Sequence, residues 1–123
     1  MGEGKRLIVC GGRDWADAGA VNRVLTVARD RIGIAMIITG GAKGADSLAA
    51  RWAHANAIPY LTVPANWGGE HGDAAGPIRN QIMLDMIGQM LDGVIAFPGG
   101  VGTKHMCETA RKAGVPVWEP IRG

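Results

Sequence analysis

The chain has 123 residues, 47% of them apolar and 20% charged, with a net charge of +2. This suits one folded domain with a real core, and argues against a disordered segment or a strongly basic partner of nucleic acid or acidic membranes. No run approaches the roughly 18 apolar residues of a membrane span, residues 1–5 lack the basic-then-apolar start of a secretion signal, and Cys10 and Cys107 are the only cysteines, so a reducing cytoplasmic setting is expected.

In chain order, the first element is a continuous apolar run at 7–10 (LIVC). A helix follows, with Val21, Val24, Leu25 and Ala28 on one face. A second run at 36–39 leads to a second helix carrying Ala45, Leu48, Ala49, Trp52 and Ala53 together. A third run at 60–63 is followed by a long connection, 64–75 (PANWGGEHGDAA). A loop of this length in a small domain reads as a flap over a site, and it carries Trp67, Glu70, His71 and Asp73. The third helix shows a stripe of Ile78, Ile82, Met86 and Met90. Met83, Met86 and Met90 are expected in the core, and the methionine-rich side of this helix offers a face for a homodimer or higher oligomer. A fourth run at 94–97 precedes a helix with Met106, Ala110 and Ala113 on one side, and 115–118 makes a fifth strand. Gly33, Gly93 and Gly114 sit where helices are expected to end.

Apolar runs without alternation suit strands covered on both faces. Their alternation with helices predicts one doubly wound α/β domain over residues 1–123. The expected sheet has five mainly parallel strands in the order 3-2-1-4-5, with helices on both faces.

Glycine is abundant, with 20 residues, and it is clustered. The strongest cluster is Pro98-Gly99-Gly100-Val101-Gly102-Thr103, after the fourth strand. Glycines there admit a ligand close to the backbone, and exposed amides at a helix start favour an anion. Thr103 either caps the helix or donates to a phosphate, with Lys104 adding charge. The second cluster runs Gly40-Gly41-Ala42-Lys43-Gly44-Ala45-Asp46. Asp46 falls in the first helical turn, where a carboxylate complements the helix dipole or accepts from ribose hydroxyls. The third is Gly11-Gly12-Arg13-Asp14-Trp15. Arg13 suits a phosphate, Trp15 stacks on a base or joins the core, and Asp14 caps the next helix or faces the ligand.

None of the three has the Walker A or the G-x-G-x-x-G spacing. All three follow strands, so all lie at the carboxyl edge of one sheet. The order reverses between the first and fourth strands, and the ligand crevice is expected there. Pro77 fits the first turn of a helix beside it, and Arg79, one residue off the apolar stripe, can face that crevice with Asn80. His54, His71 and His105 lack metal-ligand spacing, so no metal and no cofactor are expected.

Four stretches carry a resemblance that covers essentially the whole chain: GGRDW at 11–15, GGAKGADSLAARWA at 40–53, AGPIRNQIMLD at 75–85 and AFPGGVGTKHM at 96–106. Together they resemble the SLOG superfamily of Rossmann-like domains, and within it the YspA family related to YpsA. That resemblance implies a parallel sheet and a nucleotide-derived ligand. The PGG-x-GT turn and upstream arginine are also similar to the lonely guy phosphoribohydrolases, which cleave nucleoside monophosphates. Arg79 matches the arginine of that family, but Met106 stands where its glutamate belongs. Glu108 lies two residues on, turned by about 200° around a helix, which argues against that hydrolytic route. The block from Gly40 to Asp46 is similar to the DNA-processing protein A family, whose Rossmann domain binds single-stranded DNA. A dense basic stripe and abundant aromatics are missing, so a nucleic-acid partner is not expected.

The sequence therefore reads first as a module binding a nucleotide-like small molecule, with a sensor as one use. Residues 99–103 hold phosphate, Arg13 and Arg79 neutralise it, Asp46 and Asn80 contact sugar or base, and Trp67 closes over the ligand. The alternative is an N-glycoside-cleaving enzyme at the same place, using Arg79 with an acid from Glu70, Asp73 or Asp46.

Overall fold

The computed structural model describes residues 4–64, 75–87 and 91–121. Trp67, Glu70, His71 and Asp73 lie outside the described residues. Strand β1 (Lys5–Cys10) is followed by α1 (Ala18–Ile32), β2 (Ile34–Thr39), α2 (Ala45–Ala55) and β3 (Tyr60–Thr62). Then come α3 (Ala75–Ile87), β4 (Gly93–Ala96), α4 (Val101–Lys112) and β5 (Val117–Trp118). The five strands form one parallel sheet in the order β3-β2-β1-β4-β5. This is the expected Rossmann-like order, with its reversal between β1 and β4. Among the described residues no helix is long and apolar enough to cross a membrane.

Continuous apolar strands are explained by two cores, one on each face. Leu7 and Val9 of β1 point into a cluster with Val21, Leu25, Ala49, Trp52 and Phe97, under α1 and α2. Ile8 points the other way, with Ile38, Met83, Val94, Met106 and Ala110, under α3 and α4. A strand with successive side chains in separate cores has no polar face to offer. Each such buried aliphatic contributes roughly 1.5–3 kcal/mol.

Three local expectations are corrected. Gly93 does not end a helix; it opens β4 opposite Leu7. Asp92 draws it there, because its amide donates to Arg6 O at 2.9 Å and its carboxylate accepts from Arg6 N at 2.9 Å. Asp14 does not cap α1. Asp17 does, accepting from Ala20 N at 2.9 Å, because the helix starts at Ala18 and only Asp17 stands one residue before it. Asp17→Ala is expected to lower unfolding free energy by about 1 kcal/mol in urea melts, while Asp14→Ala stays within about 0.5 kcal/mol.

The third correction concerns α3. Its buried side is Ala75, Gly76, Asn80, Met83 and Leu84, whereas Ile82 is 44% exposed. Apolar residues occur around the whole helix, so periodicity alone does not select a face. Hydrogen bonds to Asn80 do, and they bury a polar residue that the apolar stripe leaves out. Met83, at 1% exposure, belongs to the core, as expected; the Met86 and Met90 side chains, and with them the expected oligomer face, lie outside the described residues.

Candidate functional site

The turns after β1, β2 and β4 meet at the carboxyl edge of the sheet around a cavity of about 850 Å³. That is the size of a small-molecule site. The backbone of Gly12 joins the three turns. Its amide donates to Pro98 O at 2.9 Å, and its carbonyl accepts from Trp15 N and Ala45 N, each at 3.2 Å. These approaches explain several glycines. A Cβ on Gly12 would lie 2.9 Å from Pro98 O, and one on Gly11 would meet Ala45 and Phe97. Gly44 has φ +78° and sits against the carbonyls of Gly12 and Arg13.

The turn after β4 is different. Residues Pro98, Gly99, Gly100, Val101, Gly102 and Thr103 all line the cavity. A Cβ on Gly99 would strike Thr103 and Gly12 N, but among the described residues nothing lies within 4 Å of one on Gly100 or Gly102, and neither has a positive φ. Gly100 is the N-cap of α4, without a side-chain cap, and the first helical bond is Lys104 N to Gly100 O at 3.0 Å. The amides of residues 99–103 have no hydrogen-bond acceptor among the described residues. A helix start leaves such donors unpaired and carries the positive end of the helix dipole. Thr103 stands inside the helix, so it does not cap it.

Of the turn after β2, Gly40, Ala42 and Asp46 line the cavity, while Gly41, Lys43 and Gly44 do not. Asp46 is 5% exposed, and its carboxylate accepts from Gly40 N at 3.0 Å and Ala42 N at 3.2 Å. Its place in the fold is thus to hold this turn, with Arg79 across from it. Burial outweighs the two amides and Arg79, and raises the Asp46 carboxyl above the ordinary carboxylate range. The folded chain therefore holds that proton more tightly than the unfolded chain. The stabilisation this gives is complete below the ordinary carboxylate pKa and is lost as pH rises through the folded value. Asp46→Asn, which keeps an acceptor for both amides, lacks this dependence. Urea melts from about pH 4 to about pH 7 should show the wild type losing stability relative to Asp46→Asn; a wild type that gains instead overturns the burial argument.

From the turn after β1, Gly11, Gly12, Arg13, Asp14 and Trp15 line the cavity. Arg13 lies close enough to lower the pKa of both Asp46 and Arg79. Trp15 packs on Phe97 with centroids 6.0 Å apart, and its Nε1 is buried without a partner among the described residues.

Helix α3 supplies Arg79 and Asn80. Arg79 Nη1 donates to Gly40 O at 2.7 Å, and its Nε donates to Asn80 Oδ1 at 3.0 Å. Burial lowers the pKa of this guanidinium, and Asp46 opposes the shift; an arginine stays charged throughout. A Cβ on Gly40 would lie 2.6 Å from Arg79 Cζ and 2.9 Å from Asp46 Oδ2, so both side chains would have to shift. Sequence reasoning did not place Cys10, Met83 or Met106 on the cavity wall, where they lie with His105. The alternation of β1 signals Cys10, whose thiol pKa is raised well above its ordinary value by the neighbouring Cys107 thiol and by burial.

Three comparisons bear on this arrangement. A solved structure, DNA processing protein A (DprA) from Streptococcus pneumoniae, matches 94% of this chain with a TM-score of 0.72 at 20% identity. The chain spans 50% of that structure's length, and the likeness shows a shared fold. The Gene 61 protein of Mycobacterium phage D29 is 37% identical over 123 residues, covering 92% of this chain and 94% of its own length. The sequence model described as "YspA, cpYpsA-related SLOG family" matches residues 5–69. That family model spans more than half of the chain, and the chain belongs to the YspA, cpYpsA-related SLOG family.

Proposed function

We propose that the cavity binds a nucleotide-derived small molecule, held by its phosphate at the start of α4. The observation that carries this reading is the open space beside Gly100 and Gly102. Among the described residues neither glycine is required by a positive φ or by packing, and both adjoin amides without acceptors. A phosphate fits amides at a helix start, and its charge fits the dipole end and the nearby arginines. Arg79 and Arg13 line the same cavity and supply positive charge, with Asn80 bonded to Arg79. The apolar surface of Trp15, Met83 and Met106 suits the less polar remainder of such a ligand.

Cleavage of an N-glycosidic bond is less well supported. Met106 is buried where the phosphoribohydrolase glutamate would stand, Glu108 is exposed, and Asp46 is engaged by two amides. Thermal shift with AMP, cyclic AMP, ADP-ribose and single-stranded DNA tests the reading. A ligand at about 100 times its Kd should add about 2.7 kcal/mol. Stabilisation by one or more of the small nucleotides supports the proposal. Stabilisation by DNA alone, fading with salt, sinks it in favour of a nucleic-acid partner. Free base released from AMP would favour the enzyme.

A further inference from the structure

The polarity of one hydrogen-bond chain is fixed by groups whose roles cannot change. Arg79 Nε is a donor only, so the Asn80 atom 3.0 Å away is the amide oxygen. Gly102 O is an acceptor only, so the Asn80 atom 3.3 Å from it is the amide nitrogen. These two contacts agree on the orientation of the amide. The same Asn80 nitrogen lies 3.0 Å from His105 Nδ1. That ring nitrogen must accept, which puts the imidazole proton on Nε2. Nε2 faces Thr109 Oγ1 at 3.5 Å, and that hydroxyl gives its own proton to His105 O at 2.7 Å. Thr109 is thus left to accept from Nε2. Every donor in the chain from Arg79 through Asn80 and His105 to Thr109 points the same way, an arrangement in which bonds reinforce one another.

The chain links three elements. Asn80 is 4% exposed, so its amide has little recourse to water if a partner is lost. It holds α3 to the first turn of α4 through Gly102 O and His105. Arg79 carries the link on to β2 through Gly40 O. With Nε and Nη1 engaged by the protein, Nη2 has no acceptor among the described residues.

We infer that His105 is a positioning residue of this cavity: as the Nε2–H tautomer it fixes the Asn80 amide, and through it the pose of the Arg79 guanidinium. The use of that pose for a phosphate rests on the function proposed above; the direction of the hydrogen bonds does not. Neighbouring Met106 has no polar atom able to do this, and Lys104 and Glu108 are exposed.

Nitrogen-15 spectra of the ligand-free protein test the relay directly. His105 Nδ1 should show the signal of an unprotonated nitrogen and Nε2 that of a protonated one. The Arg79 Nε–H should exchange slowly with water in the wild type. In His105→Leu, Asn80 loses the shorter of its two acceptor contacts and keeps Gly102 O, and the Arg79 exchange should quicken by about tenfold, the weight of one hydrogen bond. His105→Asn places an oxygen acceptor near the former Nδ1 and should restore slow exchange, which a merely space-filling role does not explain. An Nδ1–H tautomer, or an Arg79 signal indifferent to His105→Leu in a variant that still melts cooperatively, overturns the inference. AMP titration adds a separate arm: His105→Leu should weaken AMP by about tenfold, and His105→Asn should recover it. Should AMP and the other nucleotides fail to bind the wild type while the spectra behave as described, the relay stands and the phosphate reading falls.

Discussion

Gly102→Ala is expected to remove AMP binding while leaving the protein at least as stable as before. The residue lies in the first turn of α4, has no positive φ, and among the described residues nothing lies within 4 Å of where a methyl group would go. In a helix, alanine is preferred over glycine by up to about 1 kcal/mol, partly because it restricts the unfolded chain. The melting temperature should therefore hold or rise by about 2–4 °C. The new methyl group, however, stands on the cavity wall beside the amides of residues 101–103, which have no acceptor among the described residues. Hydrogen bonds to a charged partner are worth about 1.5–3 kcal/mol each, so displacing a phosphate from two of them should weaken AMP by about 100-fold or more. Gly100→Ala should act in the same direction, with a small loss of stability because alanine is a poor N-cap. Calorimetric titration and a melt on the same samples separate the two effects. Unchanged affinity in Gly102→Ala removes the main support for phosphate at this turn.

Gly44→Ala should have the opposite profile, a large loss of stability. Gly44 has φ +78° and ψ −128°, a region that is essentially glycine's own, and such strain costs of order 1–3 kcal/mol. Its Cβ would also press on the Gly12 carbonyl and lie 2.6 Å from Arg13 O and 2.7 Å from Arg13 C. Both neighbours are backbone, so relief requires moving the β1 turn away from α2 and weakening the bond from Ala45 N to Gly12 O. A total of at least about 3 kcal/mol is expected, a fall in melting temperature of about 10 °C or more. Urea denaturation measures it. A change below about 0.5 kcal/mol would show that the two turns are not packed together in this way.

These two glycines show how far the sequence can be read. The fold is legible because a doubly wound sheet leaves a plain trace: apolar strands without alternation, separated by helices of which α1, α2 and α4 show an apolar face. The position of the crevice follows from the strand order. The division of labour among glycines is not legible, since Gly44 and Gly102 are distinguished only by what lies across from them. For Gly44 that is the Gly12 carbonyl, more than 30 residues away in sequence; for Gly102 it is no atom of the described residues within 4 Å. Helix α3 is obscure for the same reason. Its buried face is decided by Asn80, whose partners Gly102 and His105 are 22 and 25 residues distant. Asp46 was readable as an acid at a helix start, yet its two amide donors come from a turn whose path no local rule specifies.

The single residue Gly12 ties the loops after β1, β2 and β4 to one another through main-chain bonds alone. No side chain is needed for that union, and the mouth of the crevice is held by the main chain itself. A guest arriving there has little disorder to remove from these three loops, so its association should leave their backbone almost where it was and gain little from further closure of those walls. Selectivity among guests then falls to a fixed outline, which rejects by misfit instead of adapting.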